Sequence, residues 1–123
     1  MRQAALSLFF FITLSTGSFA ATRSCVLSLN NVSLDGYGNV YISGTDTGSN
    51  TGFSWQNICS IKVDSPTVSG DTCKMWASIG TSSLMVSKNV NIFYDDSANG
   101  GQVNCQSMAS WRNFYINYLG VNK

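Results

Sequence analysis

From position 26 onward, apolar and polar residues alternate in short runs. Residues 26–32 (VLSLNNV) place apolar side chains at nearly every second position, the period of a half-buried strand. Asp35, Gly36, Gly38 and Asn39 form a turn cluster, and residues 40–43 (VYIS) return as a second strand. The stretch 26–43 is therefore predicted as a hairpin. Residues 44–54 (GTDTGSNTGFS) are polar and Gly-rich and read as an exposed loop. An extended pattern resumes over 55–63, with Ile58, Cys59, Ile61 and Val63 spread over both faces, and stops at Asp64-Ser65-Pro66.

The period then changes. Ser69-Gly70-Asp71 supplies N-cap chemistry, and Cys73, Trp76, Ala77, Gly80 and Leu84 recur at i, i+3, i+4, i+7 and i+11, with Met75, Ile79 and Val86 widening the stripe. This predicts one short helix over 72–87. The small residues Gly80 to Ser83 are poor helix formers and suit a helix packed closely on a sheet. Lys88-Asn89 ends it. Residues 90–94 (VNIFY) form a fourth strand, 95–104 (DDSANGGQVN) a second polar loop, and 111–119 (WRNFYINYL) an aromatic fifth strand. The order β-β-β-α-β-β is an α+β domain with mainly antiparallel strands. It is also the order of a small five-stranded OB-like barrel with its helix between strands 3 and 4.

The first twenty residues (MRQAALSLFFFITLSTGSFA) follow a different grammar. Arg2 is a basic start, residues 6–14 are an apolar run, and Ser18-Phe19-Ala20 puts small residues before a cut at Ala21. That is a secretory signal pattern. The run is shorter than the ~20 apolar residues that span a bilayer. Residues 21–123 are then a single exported domain, periplasmic or secreted, without membrane insertion after cleavage.

Charge narrows the function. Seven Lys and Arg face six Asp, with no Glu and no His. A near-neutral chain lacks the basic field that nucleic-acid binding requires. Without His or Glu there is no His-dependent triad, no His-containing zinc site and no Glu pair. No Ser lies in a G-x-S-x-G setting. The chain is therefore read as no enzyme, with no cofactor and no metal. Asp95, Asp96, Asn99 and Asp46 offer hard oxygens, but their spacing lacks the alternation of an EF-hand loop and reads as solvated turns. Asp95 and Asp96, adjacent on an extended chain, point to opposite sides and cannot act as a carboxylate pair. Asn31-Val32-Ser33 matches a glycosylation sequon, which has meaning only in a eukaryotic secretory pathway.

Cys25, Cys59, Cys73 and Cys105 all follow the signal. An even count in a small exported domain reads as two disulfides, and no CxxC pair argues for metal. Four cysteines allow three pairings. A bridge closing a loop of tens of residues contributes on the order of 3–4 kcal/mol.

Several of these features together resemble a broad group of small exported bacterial proteins. They are Cys59, the Ser65-Pro66 turn, the helix with Trp76 and Leu84, Lys88-Asn89-Val90-Asn91-Ile92, Cys105 and Tyr115-Ile116. The order is also similar to the binding (B) subunits of pertussis-type toxins, whose OB-like subunits bind glycans as five-membered rings. The group resemblance implies Cys59–Cys105, which leaves Cys25–Cys73. The toxin subunits imply the rival, Cys59–Cys73 with Cys25–Cys105. The first pairing is taken as the expectation.

The resemblance and the residues meet in one functional expectation, a non-enzymatic binding module for a glycan or a protein surface, compatible with a homo-oligomer. Sugars stack their C–H faces on aromatic rings and bond their hydroxyls to Asn, Ser and Asp. Tyr37, Tyr41, Phe53, Trp55, Trp111 and Tyr115 are the aromatic candidates. Trp55, Tyr37, Tyr41 and Trp111 are the ligand-binding set, with loops 44–55 and 95–104 meeting the ligand. Trp76, on the helical stripe, is read as core. The competing expectation is a structural or accessory envelope protein with no small-molecule ligand.

Overall fold

A computed structural model describes residues 22–100, 104–108 and 113–123. The signal over 1–20 therefore lies outside the described residues. Five antiparallel strands form one sheet, in the order β3-β2-β1-β4-β5. They are β1 (Thr22–Leu34), β2 (Asn39–Asp46), β3 (Thr51–Ser60), β4 (Val90–Asp95) and β5 (Tyr118–Val121). The helix α1 (Gly70–Met85) joins β3 to β4, so the element order read from the sequence holds.

β1 is long because it serves two neighbours. Its residues 22–27 pair with β4 and its residues 27–34 with β2. The inward side chains alternate as a period of two requires. Cys25, Leu27, Leu29, Val40, Ile42, Ile58, Val90, Ile92, Tyr94 and Leu119 are buried on one face. Tyr94 and Phe114 meet edge-on at 4.8 Å within this core. The helix adds Cys73 and Trp76, both buried, and its Ser69 cap accepts the Thr72 N–H at 3.3 Å. Gly80 lets α1 lie against β1, since a Cβ there would stand 3.1 Å from Val32 Cγ2.

The hydrogen-bonded sheet is open, with β3 and β5 at its edges. α1 packs against β1 in the middle and also against β3 and β5. One parallel bridge, Asn57 to Asn113, links β3 to the segment preceding β5, and the Phe114 N–H donates to Asn57 O at 2.8 Å.

Five expectations change. The loop over 44–54 is mostly strand. Gly44 to Asp46 finish β2, and residues 51–54 begin β3 around a turn of 47–50. Gly44 is there for backbone approach, because a Cβ would stand 2.2 Å from Ser28 O. Asp46 is 3% exposed and accepts the Ser49 N–H, closing the turn. The third strand accordingly runs 51–60 rather than 55–63, and the helix begins and ends two residues earlier than 72–87.

The last strand is shorter than 111–119. β5 begins at Tyr118, and residues 114–117 bury Phe114 and Ile116 without joining a ladder.

The cysteine pairing is corrected as well. The bridges are Cys25–Cys105 and Cys59–Cys73, each with Cα atoms 5.8 Å apart. Geometry forces this choice. Cys59 pairs with Val40, which pairs with Leu34 at the far end of β1. Cys25 is nine residues away along that strand, about 30 Å at the usual rise, so Cys105, 5.8 Å from Cys25, is out of reach of Cys59, because a disulfide needs Cα atoms within about 7 Å. Each end of the domain is stapled to its own neighbour. Two disulfides point to an oxidising, non-cytoplasmic environment. Among the described residues no helix is long and apolar enough to cross a membrane.

Candidate functional site

The outward face of β2 and β3 carries Trp55, a bulky residue with positive φ. Ile42 is opposite Gln56 and Gly44 opposite Phe53, so Ser54 and Trp55 together face Ser43. This is a β-bulge, a device that bends the strand and re-aims a side chain. Trp55 sits in it with φ 55°, in the left-handed region that a bulky residue avoids. Its N–H donates to Ser43 Oγ at 2.9 Å. Its side is 40% exposed, and its ring meets Tyr41 edge-on at a centroid distance of 6.2 Å.

Tyr41 is in turn held by Asp35 at the start of the β1–β2 turn. The Asp35 carboxylate accepts the Tyr37 and Asn39 N–H groups and the Asn39 amide, each at 2.9 Å, and the Tyr41 hydroxyl at 3.2 Å. The Asn39 side chain does most to hold the Asp35 carboxyl below its ordinary value, against a smaller opposing effect of burial. Burial, then Asp35 itself, pushes the Tyr41 phenol up. Gly38, at φ 91°, lets the turn close.

A groove of about 400 Å³ opens beside this ledge. Tyr37, Asn39, Asn57, Asp64, Asn113 and Tyr115 line it, with Ile58, Val63 and Pro66 as apolar lining. Asn57 is the register partner of Tyr41, so groove and ledge are continuous. Across the parallel bridge, Asn57 Nδ2 donates to Asn113 Oδ1 at 3.1 Å. One donor and one acceptor of the two amides are used there, and Asn57 Oδ1 and Asn113 Nδ2 have no partner among the described residues. Asp64 Oδ1 accepts the Gly70 N–H at 2.9 Å, which fixes the carboxylate at the helix start. The Tyr115 backbone is clamped by Asn99, whose Oδ1 and Nδ2 bond its N–H and C=O at 2.8 Å.

The structure thus gathers three of the four expected ligand residues. Trp55 and Tyr41 form the ledge, and Tyr37, 82% exposed, lines the groove. Trp111 lies outside the described residues. Phe53 is buried and packs the core, and loop 44–55, being strand, offers Trp55 from a bulge instead. In the 95–104 segment, a short turn at Ser97–Asn99 follows β4, Asp96 pairs with Arg23 at 2.9 Å, and Asp95 accepts from Asn117 Nδ2 at 2.8 Å. Residues 101–103 lie outside the described residues. Among the described residues, Cys25, Asp46 and Cys105 lie close enough to share an ion, but a disulfide occupies both sulfurs. Asn57 and Asn113 were not legible as site residues, since only the bridge between β3 and the segment before β5 brings them together, and Asp64 reads in sequence only as a turn residue before Pro66.

No protein-family model, no curated protein and no solved structure matches this chain.

Proposed function

We propose that this chain is an exported, non-enzymatic glycan-binding module with an OB-like barrel whose outer β2–β3 face holds the ligand. The observation that carries the reading is Trp55. A β-carbon at its φ of 55° costs on the order of 1–2 kcal/mol. Strain of this kind is kept where the surrounding structure enforces it and clusters at ligand clamps. Here it turns a broad aromatic face outward beside Tyr41, with Asn39 and Asn57 next to them. Flat aromatic surface plus neutral amides is the chemistry that sugar C–H faces and hydroxyls require. Barrel closure is supported by the Asn57–Asn113 bridge, which links edge strand β3 to the segment before β5. Export is supported by the signal pattern and both disulfides.

The test is a printed glycan array probed with the oxidised protein, purified after export of the full chain, beside its Trp55→Ala variant. The expected result is binding to a subset of glycans that the variant loses while keeping a cooperative unfolding transition. Equal binding by the variant would contradict the placement of the site. Silence across the array, with a protein recovered on pull-down from the producing cell, would favour the envelope-accessory role.

A further inference from the structure

Resting on the glycan reading above, we infer that the groove selects neutral sugars, and that Asp64 is the residue that rejects anionic ones. The argument is one of charge and hydrogen-bond complementarity. Among the described residues lining the groove, Asp64 is the only charged one. Lys62, next in the chain to Val63, turns its Nζ to Gly36 O at 3.1 Å and is not part of the lining. A sugar bearing a carboxylate or sulfate would bring a second negative charge into a cleft that holds one already, with no cation among the described lining residues to offset it.

The hydrogen-bonding groups point the same way. A carboxylate only accepts, and its two oxygens suit the donors of two adjacent hydroxyls. Asp64 Oδ1 already takes the Gly70 N–H, which fixes the group, and Oδ2 has no partner among the described residues. The Asn57–Asn113 pair leaves one acceptor, Asn57 Oδ1, and the donors of Asn113 Nδ2. An acceptor carboxylate beside a mixed amide pair matches a polyol, whose every hydroxyl both donates and accepts. The apolar lining of Ile58, Val63 and Pro66 matches its C–H groups. At about 400 Å³ the groove is within the size range of small-ligand clefts, ~300–1,000 Å³.

The experiment prints each neutral hexose or N-acetylhexosamine oligosaccharide beside the same glycan capped with sialic acid. The oxidised wild-type protein is expected to bind neutral members and to bind their capped forms at least tenfold more weakly. Asp64→Asn keeps an oxygen for the Gly70 N–H. Neutral binding itself is expected to weaken, because the free acceptor is lost, but the ratio of neutral to capped binding is expected to shrink below threefold. Asn113→Ala is expected to lose at least tenfold on neutral glycans, with Asn113→Gln as the substitute if the alanine variant does not fold. Each variant is checked by circular dichroism and by an intact mass that shows both bridges closed. Capped glycans bound as well as neutral ones, or a gap unchanged in Asp64→Asn, would overturn the inference while leaving glycan binding in place. No binding to any glycan would overturn both.

Discussion

Replacing Trp55 by alanine and by glycine separates backbone strain from side-chain contact. Both variants remove the ring and its edge contact with Tyr41, a contact worth about 0.5–1.5 kcal/mol. They differ only in the β-carbon. In an ordinary strand interior, Gly is less stable than Ala by about 0.5–1 kcal/mol. At a φ of 55° the β-carbon instead costs about 1–2 kcal/mol, which Gly escapes. The order should therefore invert, with Trp55→Gly more stable than Trp55→Ala by about 0.5–1 kcal/mol. A domain of this size shifts its Tm by roughly 4–8 °C per kcal/mol, so the separation is a few degrees. Urea and thermal unfolding with the disulfides intact, followed by far-ultraviolet circular dichroism, read it directly. An alanine variant as stable as the glycine variant, or more so, would mean that Trp55 is not held in the left-handed region. The case for a ring kept there for a ligand would then lose its foundation.

Other substitutions test the packing and the staples. Gly44→Ala should destabilise by about 3 kcal/mol or more in chemical denaturation, because its Cβ would meet Ser28 O at 2.2 Å and backbone cannot step aside. Gly36→Ala, with no atom within 4 Å of its Cβ, should stay within about 0.5 kcal/mol of the parent. Chain-entropy estimates give about 4.5 kcal/mol for Cys25–Cys105, which spans 80 residues, and about 3 kcal/mol for Cys59–Cys73, which spans 14. Replacing the first pair by serine should therefore lower the urea midpoint further than replacing the second. The Asp35 carboxyl titrates below its ordinary value when folded. Its bonds thus stabilise the domain above the unfolded carboxyl pKa of about 3.9, and this contribution is lost as pH falls through the lower folded value. Asp35→Asn should flatten the fall of Tm between roughly pH 4 and 2, a window taken from that reference pKa, and an unchanged slope would count against the Asp35 hub.

The element order was legible because each period is local. Cys73, Trp76 and Gly80 announce the helix and are buried along it. Two failures show what periodicity leaves out. Phe114 and Ile116 alternate inward as strand residues do, yet Phe114 and Tyr115 donate their N–H groups to Asn57 O and the Asn99 side chain, and Asn117 donates to Phe93 O. Alternation reports which way a residue faces, not whether its backbone is paired. Gly44, Asp46 and Ser49 read as a loop because composition cannot separate a Gly needed for close strand approach from one in a free segment. The cysteine pairing failed for a related reason, since the two ends of β1 are indistinguishable until its neighbours are known. Within the site, Tyr37, Tyr41 and Trp55 were visible as aromatics. Asn57 and Asn113, 56 positions apart, become a pair only through the bridge that joins them.

The most direct measurement is a two-dimensional NMR titration of the ¹⁵N-labelled, oxidised protein with a neutral oligosaccharide that it retains on the array. The Trp55 indole, the Asn57 and Asn113 side-chain amides and the Tyr37 and Tyr41 backbone amides are expected to shift together and saturate on one isotherm. Shifts centred instead on the Cys25–Cys105 end of the sheet, with the Trp55 indole unmoved, would contradict the assignment of the binding face.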